Sequence, residues 1–210
     1  YGRGAADCKG NVVAHLAALR VYEGDFPVGI RLVIEGSEEQ GLGELEGYVE
    51  QHPEKFQADA ILLADTGNFT LGLPTFTTTL RGMAALTVRV RTLAGGMHSG
   101  MFGGPAPDAL LALIKMLTTL HDANGNVTIQ GLANDQNWSG VEYPADQFRT
   151  DARVLDGVDL VGNGSISSML WSRIAITVIG IDCPSVAEAA NAIPHEAAAR
   201  ISMRVPPGID

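Results

Sequence analysis

Two short apolar runs mark the first third of the chain. Val28-Gly-Ile-Arg-Leu-Val-Ile34 and Ala58-Asp-Ala-Ile-Leu-Leu-Ala64 are rich in branched aliphatic residues and short enough to be strands, the first of them well buried. Ahead of the first run the apolar spacing changes to three and four. Val12, Val13, Leu16 and Leu19 predict a helix over Lys9–Tyr22, with His15 on its surface. A second helix is predicted over Leu42–Gln51, opened by a capping box of Ser37 and Gln40 and stopped at Pro53, which cannot continue it. The order helix, strand, helix, strand predicts an α/β unit with parallel strands.

From about Thr77 the texture differs. Thr78–Thr92 alternates and is β-branched, which predicts a strand of an antiparallel sheet. A glycine-rich stretch, Gly95-Gly-Met-His-Ser-Gly-Met-Phe-Gly-Gly104, leads into an apolar helix over Asp108–Leu120. A short strand is predicted at Val127–Gln130, a polar loop-rich segment over Gly131–Thr150, and helical pieces near Ala145–Leu155 and Ser165–Leu170. Strands at Ile174–Gly180 and Ala197–Val205 follow, the last closed by Pro206 and Pro207. Such a mixture predicts an α+β unit with an antiparallel sheet covered on one face. The domain boundary falls at residue 78: residues 1–78 form one unit and 79–207 the other.

Composition changes this picture in one respect. The net charge of −10 argues against nucleic acid as a partner. The acidity is uneven: residues 1–78 carry −7 and residues 79–210 carry −3, so the first unit is acidic beyond its share. No run of eighteen apolar residues exists, so no membrane span is predicted. Cys8 and Cys183 have no redox or metal spacing, which suits a reducing, cytoplasmic location.

The acids are placed suggestively. Asp7 precedes the first helix, where the plain reading is an N-cap. Glu38 and Glu39 follow the first strand and open the second helix, where acids complement the macrodipole. Asp65 ends the second strand. Parallel strands joined by helices bring such ends to one edge of the sheet. Four converging carboxylates repel unless a cation neutralises them, and two metals sharing a carboxylate would use these oxygens. The glycine-rich stretch is not a phosphate loop, because no Gly-Lys-Ser/Thr follows. No nucleophile elbow is present, and Ser99 has only its neighbour His98 as a candidate base.

Five motifs in order carry a resemblance: Gly2-Arg-Gly-Ala-Ala-Asp-Cys-Lys-Gly10, Glu35-Gly-Ser-Glu-Glu-Gln-Gly41, Leu63-Ala-Asp65, Met97-His-Ser-Gly-Met-Phe-Gly-Gly104 and Asn191-Ala-Ile-Pro194. Over nearly its whole length the chain resembles the di-zinc metallopeptidases that include carnosinase-type dipeptidases, carboxypeptidase G, acetylornithine deacetylase and succinyl-diaminopimelate desuccinylase. The resemblance implies part of a zinc-peptidase-like catalytic domain with a mainly parallel sheet, followed by an α+β dimerisation or lid domain.

The site follows from the same resemblance. It implies two Zn2+ per complete site, with Mn2+ or Co2+ as substitutes, and a cis peptide after the bridging Asp7. Asp7, Glu39 and Asp65 are implied metal ligands and Glu38 the general base. His98 is implied to reach the active site of the neighbouring subunit of a homodimer, and Asn191 and Arg204 to contact the substrate carboxylate. The implied reaction is hydrolysis of a dipeptide amide bond; an N-acyl amino acid deacylase and a non-catalytic relative or fragment are the alternatives. Cys8 stands where dipeptidases of this kind usually carry an Asp. The family's first metal-binding His is expected before Tyr1 and another after Asp210, since His15, His52, His121 and His195 match neither context. The 210 residues are thus expected to be the middle of a longer enzyme and inactive alone.

Overall fold

The computed structural model describes residues 2, 4–38, 44–65, 67–132 and 134–209. Two compact units divide the chain, Tyr1–Thr77 and Thr78–Asp210.

In the first unit, helix α1 runs over Lys9–Val21, as its spacing predicts. Asp7 does not cap it. The N-cap is Cys8, without a side-chain cap bond, and the Asp7–Cys8 peptide is cis. The helix ends where Glu23 and Gly24 take positive φ values of 51° and 90°. Helix α2 covers Glu44–Gln51, and Pro53 then opens a single 3-10 turn, Pro53–Lys55. Gln40 lies outside the described residues. Ser37 Oγ donates to Glu35 Oε1 over 3.4 Å. Tyr48 organises this corner: its ring meets His52 at 4.7 Å and Phe56 at 6.0 Å, and its hydroxyl accepts from Lys55 Nζ at 2.7 Å.

The expected strands 28–34 and 58–64 differ from prediction. Both segments are extended, yet neither joins a ladder among the described residues, so the expected parallel sheet is not formed there. The first is held through Arg31, whose Nη1 donates to the backbone carbonyls of Glu54 and Lys55. The reason is physical: alternation and branching encode an extended backbone with an apolar surface, whereas a strand's hydrogen bonds come from a neighbour. Ile61, Leu62 and Leu63 consequently stay exposed.

The second unit is built on a three-stranded antiparallel sheet. Strands β1 (Gly82–Arg91), β3 (Ala175–Asp182) and β5 (Glu196–Val205) lie in the order β1-β5-β3. A two-stranded ribbon pairs β2 (Met97–His98) with β4 (Ala192–Ile193). Strand β5 is central, pairing on both sides; Ala198 is buried on one of its faces and Ala197, Ala199 and Ile201 on the other. Helix α4, Ala109–Thr118, covers that face with Leu113, which is fully buried against Ala197 and Ala199. Asp108 starts α4 by accepting the Leu111 N–H at 2.9 Å, satisfying one orphan donor of the first turn. Ile174, Ile176 and Ile201 form a second core patch, joined by Leu117, Leu120 and Ile129. Register slips between Val178 and Gly180, which places Ile179 in a bulge.

The expected strand Val127–Gln130 reduces to one bridge between His121 and Val127. Helix α3 is a single turn, Ser99–Phe102. Helix α5 covers Ala145–Asp151, and the helical piece expected at Ser165–Leu170 ends as a π turn, Ser168–Ser172. The polar loop is ordered by side chains within it. Ser167 Oγ accepts the Tyr143 N–H and Ser168 Oγ that of Trp138. Arg173 donates to the carbonyls of Gln136 and Asn163. Trp171 stacks with Tyr143 and meets Trp138 edge-on at 5.1 Å. The mixed α/β architecture with an antiparallel second unit is therefore as expected.

Candidate functional site

His98 is the site residue most fully defined by its surroundings. It ends β2, where it pairs with Ala192, and the next N–H, from Ser99, donates to the carbonyl of Asn191 at 2.9 Å. Two residues 93 positions apart in sequence are thus neighbours across one ribbon. Glycines make this possible sterically. A Cβ on Gly100 would lie 2.9 Å from His98 Cε1, and one on Gly103 would lie 2.3 Å from the Ser99 carbonyl oxygen. The imidazole therefore rests over Gly100 in space that another residue would fill. The ribbon is anchored from behind. The Pro194 carbonyl accepts the Ala109 N–H and the His195 carbonyl that of Thr92, tying the loop to α4 and to the end of β1.

Arg204 stands elsewhere. It lies near the far end of β5, opposite Met83 on β1 and Ala175 on β3. The eight-residue rise from Glu196 to Arg204 is on the order of 27 Å. His98 and Asn191 are therefore brought together at the β2-β4 ribbon, and Arg204 is near the far end of β5 in the three-stranded sheet. Beside Arg204 is Arg81, a residue not singled out by its sequence context. Burial first, and then the Arg204 charge, hold the Arg81 guanidinium below its usual range. Neither arginine has a hydrogen bond or ion pair among the described residues. The signal that could have found Arg81 is cross-strand register, which is absent from a linear sequence.

In the first unit, Asp7 precedes α1, Glu38 follows the segment 31–37, and Asp65 ends the second extended segment; all three are exposed. Glu39 lies outside the described residues. Asp7 and Asp65 make no hydrogen bond or ion pair among the described residues. As hard oxygen donors these carboxylates suit a divalent cation. Among the described residues, however, no three His, Cys, Asp or Glu side chains stand together as a metal site. The donor chemistry fits a metal, and the described part of this chain does not itself close a coordination shell. A pocket of about 420 Å³ on the second unit, lined by Ile114, Leu117, Thr118, His121 and Asp122, shares no residue with these positions.

Comparison with known proteins identifies the family. The peptidase dimerisation domain of the M20 group matches residues 78–210. A cysteinylglycine-S-conjugate dipeptidase of Corynebacterium striatum is 47% identical over 214 residues, covering 98% of this chain and 46% of its own length. The β-Ala-His dipeptidase of Homo sapiens is 29% identical over 87% of this chain and 38% of its own length. Among solved structures, human carnosine dipeptidase 1 superposes with a TM-score of 0.71 at 27% identity, over 100% of this chain and 47% of that one. An M20 family metallo-carboxypeptidase of Sulfolobus solfataricus reaches a TM-score of 0.79 at 24% identity, over 100% of this chain and 50% of that one, and shows the fold alone. The chain thus spans about half the length of the relatives it matches. On a match that covers residues 78–210, more than half of its length, this chain belongs to the M20 peptidases through their dimerisation domain.

Proposed function

We propose that the whole protein containing this chain is a cytoplasmic, metal-dependent dipeptidase that hydrolyses the amide bond of cysteinylglycine-type dipeptides and works as a homodimer. The observation that carries the substrate class is the 47% identity to a cysteinylglycine-S-conjugate dipeptidase over 98% of the chain. Asp7, Glu39 and Asp65 are the metal ligands this chain contributes, completed by residues outside it, and two zinc ions are the proposed occupants. When bound, they supply Lewis acidity and a water acidic enough to react at neutral pH. Glu38, not a ligand, holds the proton of the attacking water and delivers it to the leaving amine. His98 donates to the developing oxyanion. Arg204 and Asn191 hold substrate carboxylates, Arg204 through its two-pronged fork.

Distances within this chain support the dimer. A dipeptide spans at most ~7 Å, whereas roughly 27 Å of strand separates the two ends of β5. A dipeptide far shorter than that strand supports drawing His98 and Arg204 from different chains. With two chains, His98 and Asn191 serve the partner's site, and Arg204 serves its own.

The test uses the full-length protein. His98→Ala is expected to lower kcat by roughly 10²–10³, the usual loss for one oxyanion donor, with metal content unchanged. Glu38→Gln is expected to abolish turnover at near-normal metal content, and Glu39→Gln to lose metal as well. Mixing His98→Ala with Glu38→Gln subunits yields dimers in which one site carries both defects and the other neither. Activity should return in part. Mixed dimers that form and stay inactive would place His98 in its own subunit's site.

A further inference from the structure

We propose that Arg81 and Arg204 together form an anion cradle that takes the substrate's free carboxylate, with Arg81 a substrate-binding residue in its own right. This rests on the dipeptidase reading above and adds a residue to it.

Three observations carry the proposal. The first is register. Gly82 pairs with Val205 and Met83 with Arg204. Side chains alternate along a strand, so Arg81, two positions before Met83, continues the face that carries Arg204 and sits diagonally across from it.

The second is the character of that face. The opposite face carries Val88, Val90, Ala197, Ala199 and Ile201 and is packed under α4. The Arg81 face is largely exposed, apart from the buried Ala198, and basic, with Arg81, Arg89, Arg91, Arg200 and Arg204 against Glu196 and Asp182. This concentration occurs in a chain of net charge −10, whose acids elsewhere offer ample partners.

The third is partnership. Arg89 is paired with Glu196, and Arg200 donates to Thr87 Oγ1 at 3.2 Å. Arg81 and Arg204 lie close to one another, mutually repelling, and neither has a carboxylate or a hydrogen-bond acceptor among the described residues; Arg91, also without one, is exposed and stands at the other end of β1. Arg81 is moreover half-buried, which raises the cost of leaving its charge unanswered. An anion seated between the two converts one repulsion into two attractions. Two guanidinium forks match the two oxygens of a carboxylate, and the match is planar, so an amide or an alcohol does not replace it. The cradle therefore selects substrates with a free carboxyl group.

The test has a kinetic arm and a binding arm on full-length, metal-loaded protein. Cysteinylglycine and cysteinylglycinamide are compared as substrates. Arg81→Gln is expected to raise KM for the free acid about 10–100-fold, the range for a charge-assisted hydrogen bond, with kcat changed less than about twofold. The amide should be hydrolysed equally by wild type and variant. Arg81→Lys, which keeps charge and loses the fork, should fall between. Equal kinetics of Arg81→Gln and wild type on the free acid, or equal losses on acid and amide, would overturn the proposal.

The binding arm needs no turnover. Succinate, against chloride at equal ionic strength, should raise the melting temperature of wild type, and Arg81→Gln and Arg204→Gln should each abolish the rise. A rise that survives Arg81→Gln, or no rise in wild type, counts against the cradle. Wild type that hydrolyses neither substrate would defeat the dipeptidase reading, and the melting experiment would still decide whether the cradle exists.

Discussion

At the residue scale, small and polar side chains do the positioning. Gly103 shows the steric side. Its φ of −61° and ψ of 145° are open to any residue, so glycine is required there by space alone: an added Cβ meets the Ser99 carbonyl oxygen at 2.3 Å. That atom is backbone and cannot swing aside. Gly103→Ala is expected to destabilise by about 1–3 kcal/mol, the usual cost of overpacking, read as a lower denaturation midpoint at unchanged m-value. Asp122 shows the polar side. Its carboxylate accepts from Asn126 Nδ2 and from the N–H groups of Asn124 and Asn126. The Asn126 side chain, followed by that residue's backbone N–H, holds the Asp122 pKa below its ordinary 3.8. Folding therefore favours the ionised form, so this contribution is complete above the ordinary carboxylate value and is lost as pH falls through the depressed one. NMR titration should give a lowered Asp122 pKa, and amide exchange at Asn124 and Asn126 should accelerate only below it. An Asp122 titrating at or above its unfolded value would contradict this.

At the element scale, β5 and α4 carry the second unit. Alternation on β5 puts Ala197, Ala199 and Ile201 on one face, and their small size lets α4 approach closely enough to bury Leu113 completely. Leu113→Ala is expected to cost ~2–5 kcal/mol, because the cavity opens against rigid strands. Asp108→Ala should cost about 1 kcal/mol through loss of the α4 cap. Thermal or chemical denaturation of the two variants checks the ranking, and a larger loss at Asp108 would reverse it. These elements were legible in the chain. The β1 and β5 alternation, the α4 spacing and the Asp108 cap all appear as local patterns. The strand expected at Val127–Gln130 was legible as β-prone and wrong as a ladder, because its pairing with the segment at His121 stops at a single bridge. The strands expected at 28–34 and 58–64 fail for the same reason. Their residues favour extension, and nothing local states whether a neighbour is present.

At the scale of the molecule, the two units differ in how much they bury. Among the described residues, the buried core residues all lie in the unit Thr78–Asp210, whereas Val28, Ile30, Leu32, Val33 and Ile34 of Tyr1–Thr77 are exposed. Residues 78–210 expressed alone are accordingly expected to melt cooperatively, and residues 1–77 alone to show no cooperative transition by calorimetry. Cooperative melting of the shorter piece would show that its exposed apolar segments are not a deficit. No helix among the described residues is long and apolar enough to cross a membrane. By itself the sequence determined the fold class, the helices, the β1 and β5 strands and the identity of Asp7, Glu38, Glu39, Asp65, His98, Asn191 and Arg204 as candidates. It could do so because amphipathic period, capping and motif chemistry are local properties. Tertiary structure alone decided that His98 lies beside Asn191, that Arg204 lies a strand's length away, and that Arg81 is Arg204's neighbour. Those facts depend on which backbone pairs with which, and register is set by the summed packing of a whole face.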